Sequence, residues 1–144
     1  MSYSVDVNLL LYASDRASAY HPAALRFLEG RRSDPELFCV AWPTLMSYLR
    51  IATHPSIFAE PLSPSESLGN IAALLALRQV RALSEQEGFL DVYREVAGSS
   101  PARGNLVPDA HLAAILRQHG VRTLYTSDRD FRRFDFLELR DPLA

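Results

Sequence analysis

The chain has 144 residues, of which 48% are hydrophobic and 22% charged, and its formal net charge is −2. That size and apolar content suit one globular domain over residues 1–144 and exclude a disordered polymer. No apolar run approaches the roughly 20 residues of a membrane span, and the start Met1-Ser2-Tyr3-Ser4-Val5-Asp6 lacks the basic and apolar segments of a signal peptide, so a cytoplasmic location is expected.

Short β-like runs alternate with helical stretches, the pattern of an α/β domain with a parallel sheet. Tyr3-Ser4-Val5 reads as the first strand, followed by a helical turn from Val7 to Ala13. A longer helix is expected from His21 to Gly30, with Pro22 in its first turn. Leu37–Ala41 is a buried second strand, and Trp42-Pro43 opens a helix through Ile51 that Thr53-His54-Pro55-Ser56 breaks. Ser63 or Ser65 caps the next helix, Leu68–Leu77. Val80–Leu83 is a brief strand, and Ser84-Glu85-Gln86-Glu87 has the polar and acidic character of a further helix start. That helix is expected to end near Gly98-Ser99-Ser100, with a loop from Pro101 to Asn105. A helix from Pro108 to His119 stops at Gly120. Thr123–Thr126 is the next strand, and Leu137-Glu138-Leu139 a last one at the sheet edge.

All 15 basic residues are arginine. Without lysine there is no P-loop, no Schiff base and no lysine general base. No Gly-x-Gly-x-x-Gly occurs, so the dinucleotide fingerprint is missing. The single cysteine, Cys39, excludes an internal disulfide and a thiolate zinc site. Four histidines without His-x-x-x-His spacing argue against a zinc hydrolase.

The informative feature is where aspartates fall. Asp6 directly follows the first strand, and Asp128 and Asp130 follow Thr123–Thr126. Ligands of open parallel sheets bind beyond the carboxyl ends of the strands, which is where these acids would meet. Asp109 opens the helix after Pro108, where the dipole favours an ionised carboxylate. Converging carboxylates repel one another, and a hard divalent cation relieves the conflict and brings phosphodiester hydrolysis with it. The opposing reading makes each aspartate a local cap or turn former, and that reading is assigned outright to Asp15, Asp34, Asp91, Asp135 and Asp141.

Asp6-Val7-Asn8 with Leu9–Ala13, then Gly104–Ala114 around Pro108-Asp109-Ala110-His111, then Thr126-Ser127-Asp128-Arg129-Asp130-Phe131 resemble the VapC-type toxins of the PIN-domain ribonuclease family. Leu49-Arg50-Ile51-Ala52-Thr53-His54-Pro55 resembles one subgroup of them, and the motifs follow the family's order and spacing. The resemblance implies a PIN-like three-layer α/β/α sandwich with a mostly parallel central sheet. It also implies Mg²⁺- or Mn²⁺-dependent endoribonuclease activity, a cognate VapB-type antitoxin and a homodimer. Carried over, Asp6, Asp109 and Asp128 match the metal ligands, Asp130 stands beside them, and Asn8 matches the small polar residue within the cluster.

One position departs from the pattern. Ser47 stands where a glutamate is usual, in Met46-Ser47-Tyr48-Leu49-Arg50. Either the aspartates suffice, or the chain is a PIN-fold protein with weakened catalysis that binds RNA or antitoxin. Another metal-dependent phosphoesterase is the remaining alternative. Arg50, Arg129, Arg132 and Arg133 are candidates for RNA phosphate contacts, or else a solvated face paired with neighbouring acids. Leu9–Tyr12 would serve either a dimer interface or the core, and Tyr12, Trp42 and Tyr48 are read as core or interface residues rather than base-stacking platforms.

Overall fold

Among the described residues, 1–98 and 102–144 of a computed structural model, five strands form one sheet: β1 (Ser2–Val5), β2 (Leu37–Ala41), β3 (Val80–Leu83), β4 (Thr123–Tyr125) and β5 (Glu138–Arg140). Their order is β3-β2-β1-β4-β5 and every pairing is parallel, where the expectation was only a mostly parallel sheet. Six helices connect them: α1 (Val7–Ser14), α2 (His21–Gly30), α3 (Trp42–Ala52), α4 (Pro64–Leu75), α5 (Phe89–Ala97) and α6 (Val107–Gln118). Short 3-10 turns cover Gly104–Leu106 and Arg129–Arg133.

Alternation along the strands divides the interior in two. Tyr3, Val5, Phe38, Val40 and Val80 pack with Leu9, Leu10, Leu11, Leu45 and Tyr48 of the first helices. Cys39, Ala41, Leu83 and Leu124 face Ala110, Ala113, Ile115 and Leu116 of α6 on the other side. The result is three layers, with α1–α4 on one face of the sheet and α5–α6 on the other. Leu9, Leu10 and Leu11 are 1–6% exposed, which places them in the core and removes them from any dimer interface.

Right-handed crossovers dictate that arrangement, since the chain steps outward from β1 to β3 and then returns to the far side of β1 for β4 and β5. The direction reverses between β1 and β4, and their carboxyl ends flank the crevice that such a reversal creates.

Local chemistry explains most boundaries. Ser63 caps α4 through a reciprocal box: its hydroxyl accepts from the Glu66 amide at 3.0 Å, while the Glu66 carboxylate accepts from the Ser63 amide at 3.5 Å. The helix therefore starts at Pro64, earlier than the expected Leu68. Acidic residues at 84–87 do not start α5. It begins at Phe89, after Gly88 with φ 81°. The preceding stretch is instead tied to α6 by Gln118, which accepts from the Gln86 amide at 2.9 Å, and by His119, bonded to the Ser84 carbonyl at 2.8 Å. The expected end of that helix at Ser99-Ser100 and the loop start at Pro101 lie outside the described residues.

The end of α6 matters for the site because it delivers the chain into β4. Gly120 adopts φ 71°, its amide donates to Arg117 and the Val121 amide to Leu116, at 3.2 and 2.9 Å. This paired closure needs the left-handed conformation glycine tolerates, and it brings Val121 against Leu116 in one cluster.

Candidate metal centre

Asp6 leaves β1 at the centre of the sheet and is 7% exposed. Its backbone stands at the N-cap of α1, but its carboxylate turns to β4: Oδ2 accepts from Thr126 Oγ1 at 2.9 Å and from Asn8 Nδ2 at 3.4 Å. Thr126 Oγ1 also accepts from the Asp128 amide at 2.9 Å. One buried hydroxyl thus links the acid after β1 to the loop after β4.

That loop is shaped by its own acid. Asp128 caps the 3-10 turn, its Oδ1 accepting from the Asp130 amide at 2.9 Å. Pro108 in the first turn of α6 fixes the entry of that helix, and its Ala110 and Ala113 pack against the sheet side, leaving Asp109 half-buried beside the loop. Carboxylate oxygens of Asp109, Asp128 and Asp130 lie within 4.8 Å of one another.

This concentration of charge shows in the protonation equilibria. Burial, and then the charges of Asp128, Asp6 and Asp130, push the Asp109 carboxyl up to about 6, with Arg133 opposing. Burial also raises Asp6 above the usual carboxylate range. The Thr126 hydroxyl and the nearby Val7 and Asn8 amides oppose that rise, and the Asp128 charge adds to it. A set of all-oxygen donors at this spacing, strained by mutual repulsion, fits a hard divalent cation.

The sequence-derived candidates separate in space. Asp109, Asp128 and Asp130 form the closest trio, so Asp130, expected only as a supporting acid, stands with the other two. Asp6 sits deeper, near enough to raise Asp109. Asn8 reaches Asp6 as its motif implied. Ser47 is half-buried on α3, and Arg50 is exposed in the last turn of that helix. Arg129, Arg132 and Arg133 are exposed along the 3-10 turn, and the Arg133 charge reaches Asp109. His111, two residues after Asp109, meets Glu85 at 2.8 Å. Asp15, Asp34 and Asp141 are local turn formers, each accepting from an amide two residues on.

Thr126 is the site residue that sequence reasoning missed. It read as the last residue of a strand. A clue lay in its position, a hydroxyl residue two before Asp128 at the carboxyl end of a central strand.

A PIN-domain family profile matches residues 3–137. The chain is 42% identical over 144 residues to Ribonuclease VapC48 of Mycobacterium tuberculosis, covering 100% of this chain and 99% of that protein. Ribonuclease VapC37 of the same organism is 31% identical over 140 residues, 97% of this chain and 96% of that one. Among solved structures, the sarcin-ricin loop cleaving toxin VapC20 of M. tuberculosis superposes with a TM-score of 0.69 at 20% identity, covering 96% of this chain and 98% of that one. VapBC-1 from nontypeable Haemophilus influenzae gives 0.68 at 19% identity, with 100% of both chains covered. At such identities the superpositions speak for the fold.

Proposed function

Because the chain belongs to the PIN-domain family and, within it, to the VapC ribonucleases, we propose that it is the toxin of a VapBC-type pair and hydrolyses phosphodiester bonds of RNA with a divalent cation, Mg²⁺ or Mn²⁺. The observation that carries this reading is the approach of the Asp109, Asp128 and Asp130 carboxylates to within 4.8 Å at the crevice between β1 and β4. A cation bound there supplies an activated water and neutralises charge on the phosphoryl oxygens.

The chain's own groups have distinct tasks. Asp128 and Asp130 present oxygens from a turn that Asp128 itself closes. Asp109, its carboxyl pushed up to about 6, would present an ionised oxygen to a cation at neutral pH and would hold it less well in acid. Asp6 adds negative charge from below, held in place by Thr126 and Asn8. Arg133, with Arg129 and Arg132 along the same turn, offers planar donors to phosphates flanking the scissile one. Ser47 leaves the set one carboxylate short of the usual PIN pattern, and the four aspartates carry the negative charge that holds the cation.

A VapB-type antitoxin is the partner this reading calls for, and a second copy of the chain the expected companion. The antitoxin is expected to meet the acidic edge with an arginine fork.

Incubation of the purified protein with cellular RNA, with and without Mn²⁺, tests the reading. Metal-dependent cleavage that disappears in Asp128→Asn is expected. Equal cleavage with and without metal, or no loss in the variant, would overturn it.

A further inference from the structure

Beside the acids stands an aromatic pair that the hydrolytic chemistry does not use. Tyr12 lies one turn beyond Asn8 on α1, on the helix face from which Asn8 donates to Asp6. Tyr20, just before α2, meets it with ring centroids 5.0 Å apart and planes inclined at 44°. Tyr12 is half-buried and Tyr20 is 51% exposed, so the pair is rooted at the site and open to solvent at its outer end. The expectation that Tyr12 serves as core or interface rather than as a base-stacking platform does not account for the exposed partner.

The segment between the rings is built rigidly for its length. The Tyr12 carbonyl accepts from the Asp15 amide at 3.3 Å and bonds His21 Nδ1 at 2.9 Å. Asp15 Oδ1 accepts from the Ala17 amide and Ser18 Oγ from the Tyr20 amide, both at 3.1 Å. Seven residues therefore return the chain to Tyr20 without relying on a hydrophobic core, and Arg16 is exposed in the middle of them. A preorganised aromatic surface with an exposed arginine in the same segment is the equipment proteins use for unpaired nucleotides: the ring takes the base face and the arginine takes the backbone.

We propose that Tyr12 and Tyr20 form a ledge on which an unpaired base of the RNA, next to the scissile phosphate, stacks, with Arg16 holding the phosphate beyond it. The inference rests on the ribonuclease reading above and adds to it the residues of this chain that would hold an unpaired base. A continuous duplex has no free base face to offer. Tyr20 binds substrate and transition state alike, so its loss raises KM and leaves kcat in place.

The test uses the full chain with Asp128→Asn to silence cleavage, Mn²⁺, and a pool of hairpin RNAs whose randomised loops carry 2-aminopurine, a base whose fluorescence falls on stacking. Quenching by the parent, a tenfold or greater weakening of binding in Tyr20→Ala, and retention in Tyr20→Trp are expected. In the cleaving protein Tyr20→Ala should show the same factor in KM. If the parent binds and quenches but Tyr20→Ala does so equally well, the ledge is wrong while the ribonuclease reading stands. If Tyr20→Ala and Tyr20→Trp are weakened alike, the residue acts through the shape of the turn and the ledge is again wrong. If the silenced chain binds no hairpin while the cleaving protein cuts duplex RNA, only the ledge falls. If the one binds no RNA and the other cuts none, both fall.

Discussion

Thr126 and Asp6, 120 residues apart in sequence, share a buried hydrogen bond of 2.9 Å that ties the two strands flanking the acidic crevice. The same hydroxyl accepts from the Asp128 amide, so one side chain sets the height of two acids. Burying a carboxylate beside other carboxylates is unfavourable, and the donor at Thr126 offsets part of that cost.

Thr126→Val keeps the volume and removes the hydroxyl. It should cost about 1–3 kcal/mol of stability, because a buried acceptor loses its partner. It should also push the Asp6 carboxyl further up and weaken Mn²⁺ binding. Urea denaturation and calorimetric titration check both, and Thr126→Ser, which restores the donor, should recover most of each.

Asp109 makes the metal-free protein pH-dependent. Its folded carboxyl titrates near 6 against an ordinary value of 3.8. Between these values the folded chain holds a proton that the unfolded chain has released, so the contribution is complete below about pH 4 and is lost as pH rises through about 6. Discounted for the solvent around a half-buried group, the loss is about 1–2 kcal/mol. Melting temperatures without metal should fall from pH 5 to pH 7 or so, and Mn²⁺ should abolish the fall. Mn²⁺ affinity itself should rise over the same window, since the cation competes with that proton.

Asp128→Asn removes the largest charge acting on Asp109. The Asp109 carboxyl should return toward the ordinary range, and the pH dependence of melting should flatten. Carboxyl chemical shifts followed through a titration by NMR would show it; an unmoved Asp109 would mean that burial and the remaining acids set its value.

Ser47→Glu adds the carboxylate that the PIN pattern has at this position. Mn²⁺ should bind about tenfold tighter, or about 1.4 kcal/mol, while the metal-free protein loses some stability to repulsion. Unchanged affinity would place position 47 away from the cation.

Ser63→Ala should cost about 1 kcal/mol by opening the capping box of α4, with no effect on Mn²⁺ affinity. It serves as a measure of stability change unconnected with the acids, read by the same denaturation experiment.

Local sequence signals were enough to place the elements in order, though not every boundary. Strand positions followed from short apolar runs, and α2 was legible to the residue because Pro22 and Gly30 bound an amphipathic stretch. The candidate acids were legible too, since an aspartate directly after a β run in an α/β chain lands at a strand end whatever the details of packing. One local reading failed and another stayed open, each for a physical reason. Acidic residues at 84–87 look like a helix start, yet contacts from Gln118 and His119, more than thirty residues away, hold them as a loop. The apolar Leu9–Leu11 run suited an interface or a core equally, and only the placement of α2 and α3 around it made it core. Tertiary structure alone decided which acids stand closest, that Thr126 bridges two of them, and that Tyr20 comes back to Tyr12. Each of these depends on distances between strands or helices that are remote in sequence. Local propensity carries no information about such distances, which are fixed by sheet order, crossover hand and the packing of α6 on the sheet.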